Sequence, residues 1–159
     1  MQVHIEKFDY EGRGLCHVDG KVTFVSKALK DEDVEVSLEK SEKHYNLAKI
    51  NKVIKKSKDR IPSFCPYSHM CGGCTFSCVS YDTSLKYKKE MISDLFRQNN
   101  ISFPLLEIVP SRPVLGYRNK VSLKVQKGKF GYYEEQSHCF LPIPNCDLLD
   151  DALQSLLRD

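Results

Sequence analysis

Three cysteines stand close together near the middle of this 159-residue chain, at Cys65, Cys71 and Cys74. Five and then two residues separate them, and Gly72-Gly73 between the last two lets the backbone wrap a central object closely, because glycine adopts positive φ and has no Cβ. Thiolates at such spacing suit an iron–sulfur cluster or zinc, and clusters are commonly held by four cysteines. The pattern predicts a metal-binding loop whose fourth ligand lies elsewhere; three buried, inert cysteines are the alternative.

The chain has seven cysteines, and their setting favours metal ligation over disulfides. No apolar run reaches the length of a membrane span, and Met1 leads into a polar, alternating segment rather than a signal peptide. We therefore expect a cytoplasmic protein with no membrane partner, in which thiols stay reduced. Cys78 follows Cys74 by four residues and could complete a local site, whereas Cys16 has no nearby companion and is expected in a core.

The pattern of residues 1–60 predicts a small β-barrel. Asp19-Gly20 is a strong type I′ turn signal ahead of an apolar strand, and Val34, Val36 and Leu38 alternate with polar residues. About five short strands with turn signals between them predict a barrel of the OB type, an architecture that often binds oligonucleotides.

A run of positive charge follows this barrel. Such a run can neutralise RNA phosphates and release their counterions, which makes binding sensitive to salt; a solvated basic linker without a partner is the alternative. Aromatic side chains can add stacking on bases. The residues expected to contact RNA are Phe24, Lys52, Lys55, Lys56, Arg60, Tyr117, Arg118 and Lys120.

The remaining chain divides into three predicted segments, 61–81 with the cysteines, 82–104 with a helix and linker, and 105–159. Asp82 is the expected N-cap of an amphipathic helix ending near residue 98. In the last segment strands are expected around 121–125, 130–133 and 138–141, and Asp147 is expected to cap a helix running to the end of the chain. The predicted fold class is mainly β with some α, and this α+β segment looks incomplete.

Several motifs, taken in order, resemble one family of enzymes. The first sixty residues, through stretches 10–15 and 20–25, are similar to a TRAM domain. The segment from Cys65 to Cys74, followed by Ser80-Tyr81, resembles the iron–sulfur segment of bacterial RNA uracil-C5 methyltransferases. Stretches 116–120, 131–133 and 137–138, and then Cys146, resemble the start of their central RNA-binding domain. An N-terminal TRAM domain joined to such a segment is similar to the 23S rRNA branch of that family.

The resemblance implies a [4Fe-4S] cluster with a structural and RNA-orienting role. It also implies that Cys146 is the fourth ligand, beside Cys65, Cys71 and Cys74. The family pattern has no cysteine at the position of Cys78, so this residue is a departure that leaves the fourth ligand open. Zinc on the same four cysteines is the chemical alternative, since four thiolates also satisfy tetrahedral zinc.

Members of the family continue into a Rossmann-like domain that binds S-adenosylmethionine and carries the nucleophilic cysteine. This chain offers no Gly-rich strand-to-helix turn for that cofactor, so S-adenosylmethionine is expected only in a full-length enzyme. We expect the chain to be the RNA-recognition and iron–sulfur portion of a 23S rRNA uracil-C5 methyltransferase, inactive by itself. A free-standing iron–sulfur RNA-binding protein is the alternative. Without a methyltransferase domain to cover them, the apolar faces of both helices are expected to cause self-association.

Overall fold

A computed structural model describes residues 1–104, 107–135 and 137–157 of the chain. The elements are β1 (Gln2–His4), β2 (Lys7–Phe8), β3 (Gly14–Val18), β4 (Lys21–Ser26), β5 (Asp33–Ser41), β6 (Tyr45–Lys55), α1 (Tyr81–Gln98), β7 (Lys124–Gln126), β8 (Lys129–Tyr133), β9 (Phe140–Pro142) and α2 (Asp151–Leu156). They form two compact units: unit 1 is Met1–Pro62 with Cys78–Ile108, and unit 2 is Ser63–Ser77 with Val109–Asp159.

Unit 1 is built on a curled six-stranded sheet in the order β1-β5-β6-β4-β3-β2. The chain at residues 2–8 reaches both edges of this sheet, because the Ile5 amide donates to the Glu32 carbonyl (2.9 Å) and the Glu6 amide donates to the Leu15 carbonyl (2.9 Å). Asp19 and Gly20 both have positive φ, as the type I′ hairpin requires. The predicted barrel-type sheet is confirmed.

The core of unit 1 follows from the alternation in its strands. Side chains that point inward pack together, and Cys16 is among them, as predicted. The buried cluster consists of Ile5, Cys16, Val25, Ala28, Val34, Val36 and Ala48. Burial of this apolar surface supplies the main favourable term in folding, at about 25 cal/mol per Å².

Helix α1 packs on this sheet through the face that carries Ser84 and Tyr87. The apolar pattern had predicted another face, formed by Leu85, Ile92, Leu95 and Phe96. Tyr87 is its buried aromatic residue, stacked at 4.7 Å between ring centroids against Phe8. Its hydroxyl donates to Asp59 at 2.8 Å. The N-cap is Ser80, whose side chain accepts from the Thr83 amide, so the prediction that Asp82 caps the helix is wrong by two residues.

The predicted apolar face of α1 is thus partly left in solvent. Ile92 and Leu95 are 43% and 41% exposed. Within the described part of the chain, no helix is long and apolar enough to cross a membrane.

Unit 2 combines the cysteine loop with a three-stranded sheet in the order β7-β8-β9 and the short helix α2. The predicted strands exist, although the first is shorter and begins at Lys124. The predicted cap at Asp147 is wrong: Asp150 caps α2 by accepting from the Leu153 amide. Leu148, Leu149 and Leu157 are buried and therefore do not form the exposed patch expected there. Residues 105–106 and 158–159, at the ends of the predicted last segment, lie outside the described residues.

The described residues form no Rossmann-type domain. Of the described strand pairs, only β4 with β6 is parallel, and it belongs to the curled sheet of unit 1.

Candidate iron–sulfur and RNA-binding site

Four cysteines from two distant stretches of sequence line one cavity in unit 2. They are Cys65, Cys71, Cys74 and Cys146. The cavity has a volume of about 30 Å³ and is partly open to solvent. The structure thus brings together the three cysteines of the predicted loop with the residue that the family resemblance named as the fourth ligand.

The cysteine loop is shaped by its own backbone. The Met70 and Cys71 amides both donate to the Tyr67 carbonyl, at 3.0 and 2.8 Å, which makes a tight turn. The Gly73 amide donates to the Cys71 thiol at 3.4 Å. The turn thereby places an N–H donor on a cysteine sulfur.

The same loop is tied to the end of strand β8. The Glu135 amide donates to the Met70 carbonyl at 2.9 Å, and Cys71 forms an isolated antiparallel bridge with Glu134. Gly72 lies close to this segment, since a Cβ there would come 3.3 Å from the Glu135 Cα. A side chain at position 72 would therefore press the loop away from β8.

Cys146 is positioned by a second set of backbone bonds. The Arg118 amide donates to the Leu148 carbonyl (2.8 Å), and the Arg118 carbonyl accepts from the Asp150 amide (3.0 Å). The Cys146 amide donates to the Gln154 side chain at 3.2 Å. These bonds fix stretch 146–150 against the stretch containing Arg118.

The surroundings of the cavity oppose ionisation of its thiols. Burial raises the pKa of the Cys74 thiol to about 11, while the charge of Arg118 opposes this rise. Burial also raises the pKa of Cys65, and the neighbouring thiolate charges of Cys146 and Cys71 add to the effect. Four thiolates in one cavity repel one another, so all four become ionised together only when a bound metal neutralises them.

Arg118 and Tyr132 also line this cavity. The sequence analysis placed Arg118 among the RNA contacts and assigned no role to Tyr132. Burial raises the pKa of Tyr132 to about 12, and the nearby charge of Cys146 adds to this. The alternation along β8 was the available signal, because residues 131 and 133 face the other side of the strand from 132.

Among the described residues, no three His, Cys, Asp or Glu side chains gather closely enough to hold a single metal ion. Zinc bound tetrahedrally needs its ligands to meet at one point, with Zn–S distances of about 2.3 Å. A cubane cluster distributes its thiolate ligands over separate iron atoms.

The other three cysteines lie outside the lining of this cavity. Cys78 belongs to unit 1, where it is buried beside Arg60, and burial raises its pKa. Cys16 lies in the core of the same unit, and Cys139 is exposed.

Three of the lysines expected to contact RNA are exposed in unit 1. They are Lys52 and Lys55 on β6 and Lys56 just after it. Arg60 differs, because its side chain is only 17% exposed and pairs with the fully buried Glu32. Its guanidinium donates to Glu32 at 2.7 Å and to the Lys27 carbonyl at 2.9 Å. Arg60 thus stabilises unit 1, and a contact with RNA stays a prediction.

The remaining expected RNA contacts have varied surroundings. Phe24 is half-buried, with the Arg13 guanidinium 4.5 Å above its ring and Tyr45 against its edge. Tyr117 is 48% exposed and Lys120 is exposed. The two aromatic residues therefore differ, since one face of Phe24 is already covered by a cation.

Comparison with known proteins gives three results. Residues 1–50 match the TRAM domain family. The chain is 33% identical over 158 residues to an uncharacterized RNA methyltransferase of Thermotoga maritima, which covers 99% of this chain and 36% of the relative. It is 32% identical over 160 residues to the 23S rRNA (uracil(1939)-C(5))-methyltransferase RlmD of Methylococcus capsulatus, which covers 96% of this chain and 36% of that protein.

A solved structure shares the fold. The crystal structure of Pyrococcus abyssi tRNA (uracil-54, C5)-methyltransferase in complex with S-adenosyl-L-homocysteine matches with a TM-score of 0.67 and 23% identity. The match covers 98% of this chain and 34% of that one. The family resemblance predicted from the motifs is confirmed: the chain carries a TRAM domain at residues 1–50 and is related over nearly its whole length to RNA methyltransferases, of which it spans about 36%.

Proposed function

We propose that this chain is the RNA-recognition and iron–sulfur portion of an S-adenosylmethionine-dependent 23S rRNA uracil-C5 methyltransferase of the cytoplasm. The observation that carries the proposal is the cavity of unit 2, lined by four thiols from two separate stretches of sequence. The names of the relatives support the reaction and the RNA substrate. The fold neighbour acts on tRNA by its title, and we favour rRNA because the sequence relatives cover the chain at higher identity.

The residues fit a [4Fe-4S] cluster held by Cys65, Cys71, Cys74 and Cys146. The donor set is four thiols, the cavity is only partly open to solvent, and the Gly73 amide already donates to one of the sulfurs. When bound, the cluster supplies a cross-link between the cysteine loop and the stretch carrying Cys146. Cys78 is left out of this ligand set because it lies in unit 1.

The stretch beside this cluster is suited to meet RNA. Arg118 is held by backbone bonds next to Cys146, and the neighbouring side chains Tyr117 and Lys120 are exposed. A cross-linked loop keeps these groups in one arrangement, so their contacts with RNA lose less conformational freedom on binding. We assign the cluster this orienting role.

Catalysis needs groups that we place in the rest of a full-length enzyme. Uracil C5 becomes nucleophilic after a thiolate adds to C6, and the C5 proton is then removed by a base. An attacking cysteine works through a lowered pKa. Burial instead raises the pKa of Cys16 to about 11 and raises that of Cys78. We therefore propose that this chain alone binds RNA without methylating it.

The ligand set can be tested by single serine substitutions in anaerobically purified chain. Cys65→Ser, Cys71→Ser, Cys74→Ser and Cys146→Ser should each lose most of the brown colour and iron. Cys78→Ser and Cys139→Ser serve as controls and should keep both. Loss of iron in Cys78→Ser together with its retention in Cys146→Ser would overturn the assignment of the fourth ligand.

RNA binding can be tested through its salt dependence. Each neutralised phosphate of single-stranded RNA contributes about −0.7 to the slope of log affinity against log salt. Changing Lys52, Lys55 and Lys56 together to Gln should weaken binding and reduce the slope by about 2. The matched control changes the exposed Lys86, Lys88 and Lys89 of α1. Equal effects of the two triple variants would remove the β6 lysines from the proposed interface.

The exposed face of α1 supports self-association of the isolated chain. Ile92 and Leu95 are large apolar residues in solvent on one helix. Light scattering should therefore give a mass above that of a monomer, and Ile92→Lys with Leu95→Lys should restore the monomer. A monomeric wild-type chain at high concentration would contradict this part of the proposal.

A further inference from the structure

Tyr132 stands out among the residues around the cysteine cavity because it brings a polar group to it. Its ring lines the cavity, and its hydroxyl is buried with no hydrogen-bond partner among the described residues. Its backbone position is fixed, since Tyr132 pairs with Leu141 in the β8–β9 ladder. The adjacent Gly131 permits this close pairing, because a Cβ there would lie 2.1 Å from the Leu141 carbonyl oxygen.

A buried hydroxyl without a partner is costly, and native proteins nearly always satisfy such groups. A tyrosine hydroxyl is a hydrogen-bond donor at neutral pH. Sulfur is the commonest side-chain acceptor around it, because the lining includes four cysteines, whereas only Ser68 and Asn145 offer a side-chain oxygen. Among these sulfurs, that of Cys146 has the largest electrostatic effect on the Tyr132 hydroxyl.

We infer that the Tyr132 hydroxyl donates a hydrogen bond to a sulfur of the cluster held by the four cysteines, either the Cys146 thiolate or an inorganic sulfide. This inference rests on the proposed function, because it requires the cluster. A hydrogen bond to a cluster sulfur favours the more negative, reduced form and so raises the reduction potential. Tyr132 is thus a positioning and tuning residue for the cluster rather than a ligand.

The chain provides a matched pair of variants for the test. Tyr132→Phe removes the buried hydroxyl, and Tyr133→Phe removes one that lies one residue away on the opposite face of β8. Tyr133 is 40% exposed, with its ring against His138 and beneath Lys124. Both variants keep an aromatic ring, so packing changes little in either.

Two readouts on the reduced, cluster-loaded chain decide the question. In a redox titration followed by EPR, Tyr132→Phe should lower the ratio of reduced to oxidised cluster at a fixed potential by about threefold to tenfold, as expected for the loss of one ordinary hydrogen bond. In pulsed ENDOR, Tyr132→Phe should lose an exchangeable proton coupling that both the wild type and Tyr133→Phe retain. An unchanged potential and an unchanged coupling in Tyr132→Phe would overturn the inference.

Iron and sulfide analysis of the wild type distinguishes a failure of this inference from a failure of the proposed cluster. A wild-type chain without iron and sulfide would overturn the cluster itself and the inference with it. If Tyr132→Phe fails to load a cluster, the wild-type chain grown with ring-fluorinated tyrosine gives the decision. The fluorine lies beside the hydroxyl on the ring. An ENDOR coupling between this fluorine and the cluster, present also in Tyr133→Phe, supports the inference. A spectrum without this coupling overturns the inference.

Discussion

The two units of this chain are stabilised in different ways. Unit 1 has a continuous apolar core in which Ile5, Val25 and Val34 are completely buried. A buried charged pair in this unit, Glu32 with Arg60, is also hydrogen-bonded to backbone groups. Such a unit can fold on the burial of its own side chains.

The interior of unit 2 is lined by thiols, whereas the interior of unit 1 is filled by aliphatic side chains. Its strands are three to five residues long, and its buried leucines surround a cavity that four cysteines line. A preformed set of thiols is seldom stable without its metal, so the free energy of metal binding becomes free energy of folding. On the proposed function, unit 1 is stabilised by its core and unit 2 by the cluster that its cysteines would hold.

The largest effect is expected from removing one ligand. Cys74→Ser should leave unit 2 without its cross-link, so amide exchange should become fast throughout 63–77 and 109–157. Exchange in the strands of unit 1 should stay slow, because their core is unchanged. Cys139→Ser, at an exposed cysteine, should leave both units protected. Equal loss of protection in the two units of Cys74→Ser would show that their stabilities are not separate.

A large effect confined to unit 1 is expected from Glu32→Gln. Glu32 is 0% exposed and pairs with Arg60, and breaking such a buried pair costs about 3–5 kcal/mol because one charge is left uncompensated. Denaturant unfolding of unit 1 should show this loss, whereas the iron content of unit 2 should not change. The control Glu35→Gln changes an exposed carboxylate on the next strand. A loss in Glu32→Gln no larger than in this control would contradict the structural role of the pair.

A moderate effect is expected in the apolar core. Ile5→Ala should destabilise unit 1 by about 2–5 kcal/mol, since it removes buried methyl groups and leaves a cavity. Ile54→Ala is the matched control, because Ile54 is 48% exposed on β6. Iron release from unit 2 of Ile5→Ala at the denaturant concentration that unfolds unit 1 would show that the two units unfold together.

The smallest effect concerns pH. Burial and the charge of Glu6 raise the pKa of the Cys16 thiol from 9.0 to about 11 in the folded chain. Its contribution to the free energy of unfolding is therefore fully present below pH 9 and is lost as pH rises towards 11. The difference in stability between wild type and Cys16→Ala should narrow over this range. A difference that is constant from pH 8 to 11 would contradict the raised pKa.

Local chemistry made part of this structure predictable. The Asp19-Gly20 turn depends on two adjacent residues, and the alternation at Val34 and Val36 depends on one strand, so both could be predicted. The alternation fails at Leu38, which is 39% exposed. Metal-binding spacing likewise identified Cys65, Cys71 and Cys74. The family resemblance, rather than any local pattern, pointed to Cys146.

Features that depend on distant segments were missed. Asp147 has the right chemistry for a cap, but its carboxylate accepts from Asn145, and the backbone of Leu148 and Asp150 bonds to Arg118 instead of continuing into a helix. Ser80 rather than Asp82 is the N-cap of α1. Both residue types cap helices equally well, so only the backbone angles decide which of the two is the cap. The approach of Tyr132 to the cysteines depends on the pairing of β8 with β9, which no single stretch of sequence reveals.

The most direct test of the account is the iron and acid-labile sulfide content of anaerobically purified chain. Four thiolates around one cubane predict about four iron and four sulfide atoms per chain. The same preparation of Cys146→Ser should contain little of either. Stoichiometric zinc without sulfide, or no bound metal at all, would contradict the claim that these four cysteines hold an iron–sulfur cluster.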